Sequence, residues 1–422
     1  MDYGVLKQAS QLVNPQRYEE SAVQEAAKEI EHKLNSQFKK DKISARVIPG
    51  GSVAKGTWLP GLSDMDLFMA FDSEKYGDKS AQLSDFAGRV LKKAFRNIER
   101  LHGSRDYFAV KYGNFYVEFV PVLEIKKASE AKNITDFSPL HANWVRKKVS
   151  KNKKLQNEIR LAKQFFKAAG VYGAESYISG FSGHAIEILT IFCGGFVNLL
   201  RAAVKWDKKS VIDVEKKFKS KKNVFEMLNK SKLQSPIILI DPVEPERNAL
   251  AALNKENFLK LKSTAKKFLA KPNIGFFKEK KFSIIDLVKE KGRRKLIIAE
   301  AKPDTGKVDV IGCRLLDTFK KIKLELEKND FEILESGWHW PEHGAATFWF
   351  YFASKDLEKT KIHLGPPSGM KDAAAAFRKK WKKVFVKNGT FAVKLNRKYT
   401  KPEQLIKDLI KGDKSLKLEV WS

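Results

Sequence analysis

The chain has 422 residues, with 81 Lys plus Arg against 50 Asp plus Glu and a net charge of +31. That length is more than one hydrophobic core serves and predicts roughly two to four domains. An apolar content of 43% excludes a globally disordered chain, and the positive excess predicts a polyanionic partner, nucleic acid before membrane.

The charge is uneven. Residues 1–150 hold 24 basic and 19 acidic side chains, a net of +5, and the other 272 hold 57 against 31, a net of +26. A lysine bias can also be a whole-organism trait, as in thermophiles, and that is the bland alternative. Cys193 and Cys313 lie far apart with no Cys or His cluster around them. A disulfide framework or zinc site is therefore not expected, and a cytoplasmic location is. "MDYGVLKQAS" lacks a basic region followed by an apolar stretch, so no signal peptide is expected.

In chain order, Val23, Ala26, Ile30 and Leu34 recur at helical spacing after Pro15. "ARVIPGG" and "DMDLFMAF" read as strands, "QLSDFAGRVLKKAFRNIERL" (82–101) as a helix, and 107–125 as two strands around Gly113-Asn114. Helices and strands are thus mixed in a first unit of 140 residues. The pattern is then helical to residue 260. Ile159, Ala162, Phe166 and Ala169 line one face, with Gly170 placed as a cap. The most apolar window, 185–204, contains Glu187, Asn198 and Arg201, which favours a buried helix over a membrane span. Residues 205–247 are more irregular. After 270, "RKLIIAEA", "VIGCRLLDTFKKIKLELEK", "FEILESGWHW" and "ATFWFYFAS" give the order β-α-β-β, compatible with an RRM- or ferredoxin-like unit.

The chemistry centres on "GGSVAKGTWLPGLSDMDLFMAFD" (50–72). On a strand, i and i+2 share a face, so Asp64 and Asp66 project together from an otherwise apolar run. Two such acids repel unless a cation intervenes, and hard oxygen ligands suit Mg²⁺. Alone, the triplet is more often a solvent-facing pair at a strand end. Three neighbours change that reading. Gly50, Gly51 and Ser52 form a turn that can approach a phosphate. Lys55 follows as a cation. Glu118 is a lone acid in the apolar strand "NFYVEFVPV" and completes three carboxylates, enough for a two-metal site of in-line phosphoryl transfer.

These residues resemble the polymerase-β-type nucleotidyltransferases. "GGSVAKGTWLPGLSDMDLF", "TDFSPLHANWV", "LAKQFFKAAGVYGAESYISGFSGH", "IDPVEPERNALAAL", "PNIGFFK" and "HLGPP" further resemble the archaeal (class I) CCA-adding enzymes, the tRNA nucleotidyltransferases, in family order across most of the chain. The resemblance implies a multidomain α+β protein. Its parts are a nucleotidyltransferase head or palm (1–140), a nucleotide-selecting helical neck (141–260), an α+β RRM- or ferredoxin-like body (261–365) and a tail with a C-terminal RNA-binding segment (366–422). It implies addition of C, C and A from CTP and ATP to the tRNA 3′ end, with Asp64, Asp66 and Glu118 as catalytic acids holding two Mg²⁺. Ser52 and Lys55 would hold the triphosphate. His141, Lys163 and Tyr172 would contact the incoming nucleotide, and Arg247 would read the base edge.

Each position has a bland alternative. His141 can be a helix-start residue, Lys163 a solvated lysine and Tyr172 a packing residue. Lys55 stands where the family more often has arginine, and Glu118 where aspartate is frequent. The basic, aromatic-laced runs "KGRRK", "FRKKWKKVFVKNG" and "LNRKYTK" fit a tRNA acceptor stem read through its backbone. No membrane partner is expected, and a homodimer is left open. Alternatives are a poly(A) polymerase, an oligoadenylate synthetase-like transferase, or a non-catalytic RNA-binding relative.

Overall fold

The computed structural model describes residues 3–62, 64–303, 305–342, 344–353, 356–411 and 416–421. They form two compact units, residues 1–280 and 281–422.

In the first unit, α1 (Tyr3–Val13) and α2 (Arg17–Lys40) precede β1 (Ala45–Pro49), the short helix α3 (Gly51–Lys55) and β2 (Asp64–Asp72). Then come α4 (Ser73–Tyr76), α5 (Leu83–Ala94), β3 (Glu99–Leu101), β4 (Tyr107–Tyr112) and β5 (Phe115–Glu124). The five strands make one mixed sheet in the order β1-β2-β5-β4-β3. Its central pair, β2 and β5, runs parallel, while the other neighbours are antiparallel. Odd-numbered residues of β2 (Met65, Leu67, Met69 and Phe71) bury against α2 and α5 through Val23, Ile30, Leu34, Val90 and Leu91. Further along the even face, Phe68 and Ala70 meet Ile48, Val120 and Val122. The strand is buried on both faces except at its start, where Asp64 and Asp66 stand, and at its last residue, the half-buried Asp72.

The helix expected over 82–101 is shorter than its sequence suggests. It stops at Ala94, where Phe95 turns extended (φ −132°, ψ 148°), and Glu99–Leu101 becomes an edge strand on β4. Phe95 is buried against Phe119, so core packing overrides the helical pattern.

The helical part follows with α6 (Ser138–Lys151), α7 (Lys154–Ala168), α8 (Gly183–Cys193), α9 (Phe196–Lys205), β6 (Ser210–Asp213), α10 (Lys221–Met227), β7 (Ile237–Ile240) and α11 (Lys255–Ala270). The window read as one buried helix is two, α8 and α9, bent by 95°. Gly194 and Gly195 both take positive φ at the break, and the Glu158 carboxylate accepts the Phe196 N–H at 2.7 Å, capping the second helix. No single described helix is long and apolar enough to cross a membrane. The irregular stretch 205–247 contains β6 and β7, a parallel pair. Ala9 and Val13 of α1 join this core with Phe165, Phe166, Phe196 and Phe268. Phe277, from "PNIGFFK", is wedged among Phe165, Phe196 and Phe268.

In the second unit, α12 (Ile284–Glu290) precedes β8 (Lys295–Pro303), α13 (Val308–Lys328), β9 (Ile333–His339) and β10 (Ala346–Phe352), the expected β-α-β-β order. β11 (Thr360–Pro367), α14 (Lys371–Lys380), β12 (Phe385–Lys387), β13 (Thr390–Asn396), α15 (Pro402–Lys411) and β14 (Leu416–Trp421) follow. β14 pairs antiparallel with β8, so the first sheet of this unit has the order β14-β8-β10-β9. A second sheet, β11-β13-β12, carries α14 through the stacked rings of His363 and Phe377.

Candidate active site

The parallel register sets Asp64 opposite Tyr116 and Asp66 opposite Glu118. Residues paired in this way share a face, so Asp64, Asp66 and Glu118 project from the same side of the sheet. Among the described residues none of the three is in an ion pair. Burial pushes the Asp66 carboxyl above its ordinary value; Asp64 adds to this and Lys55 opposes it. Burial also pushes Glu118 up to about 7, with the charges of Asp66 and Asp64 adding.

The glycine turn is fitted to these acids. Gly50 donates its N–H to the Asp66 carbonyl at 2.8 Å. Gly51 has φ +52°, and a Cβ there would sit 1.7 Å from Asp66 Oδ2. Only glycine allows both the backbone conformation and this approach. Ser52 lies half-buried in the first turn of α3.

Lys55, at the end of α3, points into a buried charge cluster. Its Nζ lies 2.7 Å from Glu187 Oε2. Lys163 Nζ reaches Glu187 Oε1 at 2.7 Å and the Thr57 carbonyl at 3.2 Å, and the Thr57 hydroxyl donates to Glu187 Oε1 at 2.6 Å. Glu187 is fully buried on α8. Burial alone would raise its carboxyl, but the Lys163 and Lys55 ammoniums outweigh it and hold it well below the usual range. Lys163, wholly buried and sharing that carboxylate with Lys55, is pushed below the usual lysine value, burial being the main cause. Arg160, one helical turn earlier, donates to the Trp58 carbonyl at 3.1 Å. The segment after the glycine turn is therefore bolted to α7 by two cations.

Tyr172 lies beside this cluster, its hydroxyl against Gly183 at the start of α8. Burial pushes the phenol up to about 12, with Glu187 and Glu175 adding. His141 is buried on α6, its Nε2 3.0 Å from Asp241 Oδ1. Arg247 is part-exposed, with Nη1 3.6 Å from Asp241 Oδ2.

Thr57, His184, Glu187 and Asp241 were not singled out as site residues from the sequence. Glu187 had a signal, an acid in the most apolar window of the chain. So did Asp241, an acid directly after "IILI". Ligand-capable atoms of His141, His184 and Asp241 lie within 4.8 Å of one another. Asp241 Oδ1, however, already accepts His141 and the backbone N–H groups of Val243 and Glu244, and Arg247 stands over Oδ2. The strand carboxylates are the better set for a hard dication.

Fold and site together define a nucleotidyltransferase of the polymerase-β type. Residues 27–141 match the family described as nucleotidyltransferase domain, 157–278 the tRNA nucleotidyltransferase second domain, and 291–420 the CCA-adding enzyme C-terminal domain. The CCA-adding enzyme of Nanoarchaeum equitans is 35% identical over 322 residues, 76% of this chain and 76% of that one. That of Methanocaldococcus jannaschii is 28% identical over 418 residues, covering 97% and 91%. The solved structure of a cytoplasmic RNA terminal U-transferase superposes with a TM-score of 0.52 at 12% identity, covering 67% of this chain and 99% of that one, a likeness of fold. The chain belongs to the CCA-adding enzyme family.

Proposed function

We propose that this chain adds C, C and A to the 3′ end of tRNA from CTP and ATP, without a nucleic-acid template, releasing pyrophosphate. The observation that carries this reading is the placement of Asp64, Asp66 and Glu118 on one face beside the Gly50-Gly51 turn, in a chain matched along nearly its whole length by relatives named CCA-adding enzyme.

Nucleotidyltransferases use a divalent metal, and the three carboxylates fit one: they offer oxygen donors only, and their mutual repulsion is what a dication relieves. Asp64, Asp66 and Glu118 hold the ions, with Mg²⁺ the ion of choice and two the expected number. When bound, they acidify the terminal ribose hydroxyl and neutralise the triphosphate. The backbone at Gly50–Ser52 and the Ser52 hydroxyl approach the phosphates. Lys55 and Lys163 share a single buried carboxylate, which leaves one positive charge in excess for a polyanion. His141 and Tyr172 orient the nucleotide, and the planar donor fork of Arg247 reads the base edge. Both cysteines are free thiols, as suits work in the reducing cytoplasm.

The test is incubation of tRNA lacking CCA with labelled CTP and ATP, separately and together, followed by sizing at single-nucleotide resolution. CTP alone should give two additions and the mixture three, then a stop. Continued growth with ATP, or no addition at all, overturns the reading.

A further inference from the structure

We propose that Asp241 is a positioning residue for nucleotide binding, its buried carboxylate fixing His141 and Arg247 as one unit. This rests on the reading that those two side chains meet the incoming nucleotide.

Asp241 is fully buried at the end of β7, whose four residues are themselves buried. Its backbone closes the following loop: Asp241 N–H donates to the Arg247 carbonyl at 3.1 Å, and Arg247 N–H to the Glu244 carbonyl at 2.9 Å. Its Oδ1 accepts the N–H groups of Val243 (2.9 Å) and Glu244 (3.2 Å). The loop thereby returns Arg247 to the carboxylate that began it. His141 arrives from α6, 100 residues away in sequence, and meets Oδ1. The His184 ring packs 4.6 Å from the His141 ring, with Nε2 3.5 Å from Oδ2.

The two oxygens thus have different tasks. Oδ1 staples the loop and takes His141. Oδ2 is buried without a hydrogen bond of good geometry, yet Arg247 and His184 both face it. A buried anion left partly unsatisfied is costly unless neighbouring cations hold it. The attraction runs both ways, and it restrains an arginine whose side chain is otherwise 38% exposed. A loop staple alone needs only an oxygen acceptor, and asparagine supplies one. A positioning role needs the charge and the second acceptor.

Asp241→Asn separates the two. It keeps an Oδ1 acceptor for the backbone and turns Oδ2 into a donor facing Arg247 and His184. KM and kcat for CTP and ATP are measured on tRNA substrates for D241N, R247A, H141Q and the double variant D241N/R247A. D241N should raise KM for both nucleotides about tenfold, with kcat changing less. The double variant should lose less than the two single effects combined, because Asp241 acts in part through Arg247, the remainder passing through His141. An unchanged KM in D241N, or effects that simply add, overturns the proposal. If R247A and H141Q both leave KM unchanged, the reading of the site has failed. If they raise KM and D241N does not, positioning alone has failed. Should D241N not fold, ¹⁵N spectra of the parent protein decide: His141 Nε2 must carry a proton directed at Asp241, and an unprotonated Nε2 overturns the assignment.

Discussion

Asp66 and Glu118 are register partners on the two parallel strands at the centre of the five-stranded sheet. They are half-buried acids from segments 52 residues apart in sequence, and each is pushed above its ordinary pKa by burial and by the other acids. A fold that spends stability to hold like charges together gains it back when a dication binds. Asp66→Asn and Glu118→Gln should each therefore raise the Tm of the metal-free protein slightly. Each should also cut nucleotide incorporation by about a thousandfold or more, and chelation should do the same to the parent enzyme. Filter binding of tRNA should stay within about threefold of the parent, since these acids are not phosphate contacts. Near-parent incorporation by either variant would remove the acids from the site.

Gly51→Ala is the second test. The added Cβ would fall 1.7 Å from Asp66 Oδ2, at a φ of +52°. Either the turn or the carboxylate must move, and a shift of about 1 Å in a catalytic group costs about a hundredfold. We expect kcat to fall by about that factor, while Tm drops only a few degrees, as about 1 kcal/mol of backbone strain requires. Activity close to that of the parent would mean that the turn does not set the position of Asp66.

The sequence made the acid triad legible because strand alternation fixes which residues share a face, and the neighbouring Gly50-Gly51 pair marked an unusual turn. It did not reveal where Lys55 points. That depends on Glu187, 132 residues away, and no local pattern encodes such a partner. The break between α8 and α9 was visible as Gly194-Gly195, but apolar periodicity ran through it and masked it. Glu99–Leu101 continued a helical pattern and became a strand only because β4 offered an edge. The return of β14 to β8 is likewise a long-range pairing.

Acid should weaken the helical part of the first unit before it affects the rest. Glu187 and Asp241 are both held below the ordinary carboxylate value. Burial opposes this, but Lys163 and Lys55 outweigh it at Glu187, and the His141 hydrogen bond together with the facing His184 ring does so at Asp241. A depressed folded-state pKa favours folding only while the group is ionised. The stabilisation is therefore complete above the unfolded-state values, about pH 4 to 4.5, and is lost as pH falls through them toward the depressed ones. Tm should drop steeply below about pH 4.5, while the raised Glu118 carboxyl of the metal-free protein adds a gentler loss of stability as pH rises from about 4.5 toward 7. Glu187→Gln strands two buried ammoniums and should cost about 3–5 kcal/mol at pH 7, with a shallower acid limb than the parent. An equally steep limb would show that other carboxylates carry the acid transition.

The last prediction concerns the basic side chains of the second unit. α14 ends in Arg378, Lys379 and Lys380, all exposed, followed by Trp381, with Lys380 Nζ 5.5 Å over the Trp381 ring. Arg378 lies over the Phe391 ring at 4.6 Å, which limits its freedom to reach a phosphate. The two lysines are freer. If they neutralise tRNA phosphates, each releases about one condensed counterion, so the slope of log K against log salt should fall by about 1 to 2 in Lys379→Ala/Lys380→Ala. Affinity for tRNA should drop about tenfold at low salt and converge with the parent at high salt. KM for CTP should not move, because side chains that neutralise tRNA phosphates act on tRNA affinity and not on the nucleotide. A salt slope identical to the parent's would leave this end of α14 as a merely solvated face and shift the search for phosphate contacts to Arg293 and Lys398.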